Sequence, residues 1–283
     1  MKNMRPYDKE DAFNIYKKAV SRKSEGDDKT NLLLIETQIA QCYELYNQYY
    51  ERNKLEYLSS HEVGVKYKKE LQGLYGSKAK VVKDFRQVFF EINPRTYNNL
   101  CPYCLINSSN TTDHILPQEQ YPEHAINVKN LIPACGECNS AKGENVLDAF
   151  GNKCTINFYV DILPEEQFLF VDIIDIGGQM TFNYKLENVS NKINTKLYAL
   201  IERHFEKLNL LNRYKEKAIQ EIAEIRNTYL VETFDNEEQY KLFTSKQRMK
   251  CDLDIREYGR NHWRVVLLRA CADSEVFKNS VLK

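Results

Sequence analysis

Apolar side chains recur every three to four residues along the first third of the chain, which is the spacing of amphipathic helices. This pattern predicts three main helices: one over residues 8–22, a longer one over residues 29–55, and one that begins after Gly76 and ends at Pro94. We therefore expect residues 1–96 to form a helical N-terminal region.

Patterns typical of β-strands replace the helical spacing after residue 150. They occur in three runs rich in β-branched and aromatic residues: 154–160, 168–174 and 180–184. Gly177-Gly178 separates the last two runs and favours a hairpin turn. Helical spacing then resumes near Asn191, Leu208 and Trp263. We expect residues 151–283 to form a β-hairpin and a C-terminal helical region, and the whole chain to be a mostly helical α+β protein.

Two Cys-x-x-Cys pairs, Cys101/Cys104 and Cys135/Cys138, lie within the remaining region, residues 97–150. Each pair directs two thiolates at one point, and two pairs complete the tetrahedral donor set of structural Zn²⁺. A redox pair or ordinary buried cysteines are the alternatives, and they account for one pair better than for two. The spacing therefore predicts a structural zinc site with all four cysteines as ligands.

Four polar residues lie within this cysteine frame or directly beside it: Asp113, His114, Asn130 and Asn139. Asp113-His114 precedes residues 115–117, an apolar run that can form a strand ending at proline. Asn139 follows Cys138, where we expect a helix to begin. A strand and a helix joined by one zinc could bring Asp113, His114 and Asn139 together.

The chemistry of these residue types suits phosphodiester hydrolysis. Carboxylate and amide oxygens, as in Asp113 and Asn139, are ligands that Mg²⁺ prefers. A histidine such as His114, with a reference pKa of ~6.5, can accept a proton near neutral pH. One hard cation beside one general base is what water needs to attack a phosphodiester.

The segment from Cys101 to Gly143 resembles the HNH endonucleases, the zinc-stapled ββα-metal type. The resemblance implies that His114 activates water and that Asp113 and Asn139 hold a catalytic Mg²⁺ or Mn²⁺. It also implies that Asn130 braces the loop between the two strands. Asn139 replaces the final histidine of the family pattern, which leaves the metal preference open. The expected function is therefore cleavage of DNA by an endonuclease, although the resemblance covers only residues 97–150.

The formal net charge of the chain is zero, whereas phosphate contacts normally require lysine and arginine. A neutral total can still hide a local basic surface. We expect the DNA contacts to come from basic residues before the motif and just after Asn139: Lys78, Lys80, Lys83, Arg86 and Lys142. A solvated helix face is the alternative for these residues. Neutrality also suits a subunit that takes its substrate affinity from a partner.

The C-terminal order of elements points to such a partner. A hairpin with Gly177-Gly178 followed by Leu-Asn-Leu-Leu-Asn-Arg at residues 208–213 is similar to the HNH subunits of Septu-type bacterial anti-phage systems. That resemblance implies an ATPase of the ABC class as partner subunit and a role in antiviral defence. A zinc-stabilised module that binds DNA, RNA or protein without cleavage is the alternative function. The sequence leaves the oligomeric state and the choice between DNA and RNA open.

Composition points to a cytoplasmic protein. The chain opens with no charged segment followed by an apolar core, and it contains no apolar run of ~18 residues. We therefore expect neither an export signal nor a membrane span. Four cysteines outside the zinc pairs are scattered along the chain: Cys42, Cys154, Cys251 and Cys271. Such usage suits a reducing compartment better than a disulfide scaffold.

Overall fold

The structure is a computed structural model that describes residues 1–76, 79–94, 99–232, 234 and 236–282. The chain divides into two compact units. The first unit comprises Asn3–Tyr103 and Asn107–Ile162, and the second comprises Met1–Lys2, Cys104–Ile106 and Leu163–Lys283. The three regions drawn from the sequence, 1–96, 97–150 and 151–283, stay a prediction about domain organisation.

The first unit begins with helices α1 Ala12–Ser21, α2 Asp27–Leu34, α3 Glu36–Glu51, α4 Glu62–Lys66, α5 Lys68–Gln72 and α6 Lys80–Ile92. Helix α1 begins where the Asp11 carboxylate accepts the N–H groups of Phe13 and Asn14, at 2.9 and 3.3 Å. The single helix predicted over residues 29–55 is wrong, because the backbone kinks at Ile35 (φ −94°, ψ 4°) between α2 and α3. Apolar spacing continues across the kink, so the sequence pattern does not reveal it.

A small ββα arrangement follows in the same unit. Strand β1, Thr111–His114, pairs antiparallel with β2, Leu131–Ala134, and helix α7, Gly136–Lys142, comes directly after β2. The strand predicted over residues 115–117 is wrong, because the strand lies earlier and carries Asp113 and His114 itself. The ladder ends there since the side chain of Asn130, rather than a strand backbone, accepts the Leu116 N–H at 2.7 Å.

The strand predicted over residues 154–160 is also wrong. The Asp161 carboxylate organises this segment as a turn instead. It accepts the Asn157 N–H at 2.7 Å, the Lys153 ammonium at 2.6 Å and the Asn53 amide at 2.7 Å. The buried carboxylate thus accepts hydrogen bonds from donors in this segment. In a strand, the backbone donors would instead bond to a neighbouring strand.

The second unit contains the predicted β-hairpin. Strands β3 Leu169–Ile176 and β4 Gln179–Leu186 pair antiparallel, and Gly177 and Gly178 adopt φ values of 61° and 82° in the turn. Positive φ at both turn positions is what a two-residue hairpin favours. The helices of this unit are α8 Thr195–Lys207, α9 Leu210–Leu230, α10 Glu237–Tyr258, α11 Trp263–Asp273 and α12 Glu275–Val281.

The α+β class is confirmed, since helices dominate and two-stranded sheets supply the β-structure. Each unit has an aromatic core of its own. Tyr46, Phe85 and Phe89 are fully buried in the first unit, and Phe205 and Tyr214 in the second. Among the described residues, no helix combines the length and the apolar character that crossing a membrane requires.

Candidate active site

The four predicted zinc ligands lie together. The sulfur atoms of Cys101, Cys104, Cys135 and Cys138 are all within 4.8 Å of one another, and all four residues are buried. The backbone N–H of Ile106 points to Cys104 Sγ at 3.4 Å, and that of Cys138 points to Cys135 Sγ at 3.4 Å. Such N–H···S bonds favour the thiolate form, and four thiolates are the donor set of structural zinc. The cluster therefore agrees with the predicted zinc site.

The turn after Cys104 has an unusual backbone. Leu105 adopts φ 56°, a left-handed conformation that costs a residue with a side chain roughly 1–2 kcal/mol. Its side chain is only 2% exposed, so burial of apolar surface offsets that cost. The left-handed turn redirects the chain after the first cysteine pair, and glycine is the usual residue for this purpose.

The carboxylate of Asp113 is buried and has two donors. The Tyr103 hydroxyl donates to Oδ2 at 2.7 Å, and the Lys142 ammonium lies 3.2 Å from the same oxygen. Lys142 also donates to the His114 carbonyl at 2.7 Å. Both Asp113 and Lys142 are 5% exposed, so the alternative of a solvated surface lysine is wrong. A role for Lys142 in nucleic-acid binding stays a prediction.

The His114 ring is held in one tautomer. Its Nε2 atom lies 2.8 Å from the Ala125 carbonyl oxygen. A carbonyl only accepts hydrogen bonds, so Nε2 carries the hydrogen and Nδ1 keeps the lone pair of the neutral ring. Burial lowers the pKa of His114, although the Ala125 bond and the Asp113 charge partly oppose this shift. The neutral ring, which is the state a general base needs, is therefore favoured near pH 7.

Asn130 is the last residue of the loop between β1 and β2 and is fully buried. Its Oδ1 accepts the Leu116 N–H at 2.7 Å, and its Nδ2 donates to the carbonyls of Leu116 and His124 at 2.9 and 3.2 Å. The Tyr46 hydroxyl adds a longer contact of 3.3 Å to Oδ1. These bonds tie both sides of the loop together, which agrees with the predicted bracing role.

Asn139 lies in the middle of α7, which packs against β1. Its Nδ2 donates to Thr111 Oγ1 at 3.4 Å, and Thr111 is on the same face of β1 as Asp113, two residues away. Because Nδ2 points to Thr111, Oδ1 is the atom left for a cation. This oxygen and the Asp113 carboxylate are donors of the type that Mg²⁺ and Mn²⁺ prefer, so the residues fit the predicted ion.

Three of the other predicted DNA contacts, Lys80, Lys83 and Arg86, lie on α6. Lys80 and Lys83 are exposed, and Lys80 pairs with Asp84 at 3.1 Å. Arg86 is half-buried, and its guanidinium donates to the carbonyls of Ser109 and Thr111. Lys78 lies outside the described residues. DNA contact by these four residues stays a prediction, and Arg86 also supports the start of β1.

Sequence reasoning missed the aromatic side chains around the site. The Tyr75 ring lies 4.5 Å from the His114 ring, and its hydroxyl donates to the Thr112 carbonyl at 2.7 Å. His124, a residue of the loop between β1 and β2, is only 2% exposed, and its ring lies 5.7 Å from Tyr43 and 4.8 Å from Tyr46. The sequence signal for these contacts was the high density of tyrosine along α3. It indicated that the helix is packed against other elements, but it did not identify the residues that the tyrosines contact.

Comparison with known proteins agrees with this geometry. Residues 101–145 match the HNH endonuclease family. Protein ea31 of Escherichia phage lambda is 25% identical over 227 residues, which cover 76% of this chain and 75% of that relative. Septu protein PtuB of Bacillus thuringiensis is 37% identical over 51 residues, which cover 16% of this chain and 20% of that relative. No solved structure matches significantly.

The family match coincides with the segment that contains the four-cysteine cluster, both strands of the small sheet and α7. Asp113, His114, Asn130 and Asn139 all lie within it. Residues 101–145 of this chain are therefore an HNH endonuclease-type domain with a four-cysteine cluster.

Proposed function

We propose that this chain is a metal-dependent endonuclease that hydrolyses phosphodiester bonds of DNA. The observation that carries the proposal is the fixed tautomer of His114, whose Nε2–H is bound by Ala125 and whose Nδ1 is left to accept a proton. Asp113, the neighbouring residue on β1, and Asn139 on α7 carry oxygen donors of the type that a hard cation prefers. A module that only binds nucleic acid has no need of a base in a set tautomer within the same small motif.

In the proposed reaction, His114 Nδ1 takes a proton from a water molecule as its oxygen attacks phosphorus. The bond from phosphorus to the leaving oxygen breaks, and that oxygen is protonated by solvent. Asp113 and Asn139 would hold Mg²⁺ or Mn²⁺, which when bound stabilises negative charge on the phosphate and leaving oxygens. Asn130 keeps the Ala125 carbonyl in place, since it binds the carbonyl of the preceding residue, His124.

Nicking of supercoiled plasmid by the purified, zinc-loaded protein tests this proposal. We expect nicking with added Mg²⁺ or Mn²⁺ and none in buffer stripped of divalent ions on a resin. Strong chelators are avoided because they would also remove zinc. Asp113→Ala and Asn139→Ala should lose cleavage, with partial recovery at high Mn²⁺. If the protein binds plasmid but does not nick it under any metal condition, with or without an ATPase partner subunit, the result would favour a binding module instead.

We also propose that the chain acts as the effector of an antiviral defence system together with an ATPase subunit. The match to Septu protein PtuB supports this assignment. The net charge of zero supports it as well, because a neutral nuclease gains from a partner that supplies affinity for DNA. The isolated chain should then cut weakly, and the product of the adjacent gene should raise cleavage sharply. Full activity of the chain alone at physiological salt would contradict a required partner.

A further inference from the structure

The ion pair between Lys142 and Asp113 has a consequence for metal binding. The Lys142 ammonium lies 3.2 Å from Asp113 Oδ2 and 3.4 Å from Oδ1, so it contacts both oxygens of a carboxylate expected to bind a cation. The His114 carbonyl at 2.7 Å fixes the ammonium in this position. Tyr103 donates to Oδ2 as well, but its hydroxyl is neutral.

The charges of these groups nearly cancel. Asp113 contributes one negative charge and Lys142 one positive charge, and Asn139 is neutral. These three side chains together therefore give a divalent cation no net attraction, and the ammonium repels it. A bound phosphodiester would add one negative charge and offset that repulsion.

We propose that Lys142 competes with the catalytic divalent ion for Asp113 and thereby makes ion binding depend on an anionic substrate. This inference rests on the proposed function, since it assumes that Asp113 is a ligand of that ion. Lys142 is accordingly a regulatory residue of the metal site rather than a ligand. The site therefore holds its ion only when a phosphodiester is bound.

Electron paramagnetic resonance of Mn²⁺ with zinc-loaded protein measures ion binding without any turnover. Lys142→Met removes the charge and keeps an unbranched side chain of similar length. We expect it to tighten Mn²⁺ binding by about tenfold or more in the absence of DNA. A short duplex with phosphorothioate linkages should tighten Mn²⁺ binding to the native protein strongly and to Lys142→Met only slightly.

Tyr103→Phe is the matched control, because it removes a neutral donor from the same oxygen of Asp113. It should change Mn²⁺ affinity by less than about threefold. Lys142→Gln, which keeps a donor for the His114 carbonyl, replaces Lys142→Met if circular dichroism shows that Lys142→Met is unfolded. Unchanged or weaker Mn²⁺ binding by the folded variant without DNA would overturn the inference.

Failure of the proposed function gives a different result. If the native protein with DNA binds no Mn²⁺ beyond the level of Asp113→Asn, then Asp113 is not a ligand and both proposals fall. If Asp113→Asn weakens Mn²⁺ binding but Lys142→Met leaves it unchanged, only the competition is wrong.

Discussion

The two ends of the HNH domain are held by different means. At one end, four cysteine sulfurs from two short turns meet in a buried cluster. At the other end, the loop over residues 115–130 is held by side chains from the N-terminal helices. Tyr46 of α3 donates to the Lys129 carbonyl at 3.1 Å, and Lys129 itself donates to Asn47 at 2.9 Å.

The difference shows which parts of the chain each end of the domain requires to keep its structure. All four cysteines of the predicted zinc site lie within residues 101–145, so this segment contains every ligand that the zinc requires. The loop that supplies the Ala125 carbonyl to His114 instead depends on residues about eighty positions earlier in the chain. We infer that residues 101–145 alone would bind zinc but would not hold His114 in its tautomer.

Loss of a zinc ligand tests the cysteine end and should have the largest effect. Structural zinc contributes on the order of 10 kcal/mol to folding in small modules, so Cys135→Ser should lose zinc and unfold residues around the cluster. Metal analysis and circular dichroism measure both outcomes. Cys42→Ser, a buried cysteine of α3 outside the cluster, is the control and should keep zinc. A folded Cys135→Ser protein without zinc would contradict a structural role for the metal.

Asn130→Ala tests the loop end. Removing this side chain leaves the buried N–H and carbonyl of Leu116 without this partner, and the His124 carbonyl keeps only the Asn127 N–H at 3.2 Å. We expect the free energy of unfolding to fall by about 3 kcal/mol, with zinc retained and cleavage reduced. Urea unfolding measures the change. Asn139→Ala is the comparison, since Asn139 is only half-buried and should lose cleavage with little loss of stability.

His124→Phe should make stability less sensitive to acid. Burial lowers the pKa of His124 to about 3, whereas the unfolded chain has a histidine pKa of ~6.5. The unfolded state therefore binds the extra proton as pH falls below ~6.5, and this costs the native protein about 2 kcal/mol by pH 5. Phenylalanine keeps an aromatic ring between Tyr43 and Tyr46 but cannot titrate. Urea unfolding at pH 7 and pH 5 should show a smaller loss in the variant.

Other acid-sensitive groups do not disturb that comparison. Burial also lowers the pKa of His262 to about 3, and it lowers the pKa of His114 as well. These groups are present in both proteins, so the difference between the two pH dependences reports His124 alone. Equal losses in both proteins would show that His124 is accessible to protons in the native state.

Tyr46→Phe should have the smallest effect among these variants. It removes the hydroxyl that binds Lys129 and Asn130, and we expect a loss of about 1 kcal/mol in stability. Tyr50→Phe is its matched control, because the buried Tyr50 hydroxyl has no hydrogen-bond partner among the residues that the structure describes, so its removal should be neutral or stabilising. Urea unfolding of both variants decides the comparison. Equal losses would mean that the loop does not depend on the Tyr46 bond.

The sequence predicted features that depend on local spacing. The two Cys-x-x-Cys pairs, the turn at Gly177-Gly178 and the helices predicted over residues 8–22 and 76–94 depend on neighbouring residues, and the structure has them. These are cases in which one periodicity or one spacing permits a single arrangement. The sequence also predicted a strand beside the helix that follows Cys138, but it placed that strand at residues 115–117, whereas α7 packs against β1, Thr111–His114.

Features that depend on distant residues were not predictable in the same way. Lys142 looks like a surface residue of a short helix until β1 places Asp113 beside it. His124 has no local sign of burial, because the rings that cover it come from α3. The run at residues 154–160 has strand composition, but the Asp161 carboxylate turns the backbone before any partner strand is met. Tertiary contacts override local preference at each of these positions.

Plasmid nicking by His114→Ala is the most direct test of the central claim that His114 is the general base. The variant should keep its fold and its zinc by circular dichroism and metal analysis. Its cleavage rate should fall at least ~10²-fold, the usual cost of losing a general base, and rising Mn²⁺ should not restore it. A folded His114→Ala protein that nicks plasmid at the native rate would show that this site does not carry out the cleavage.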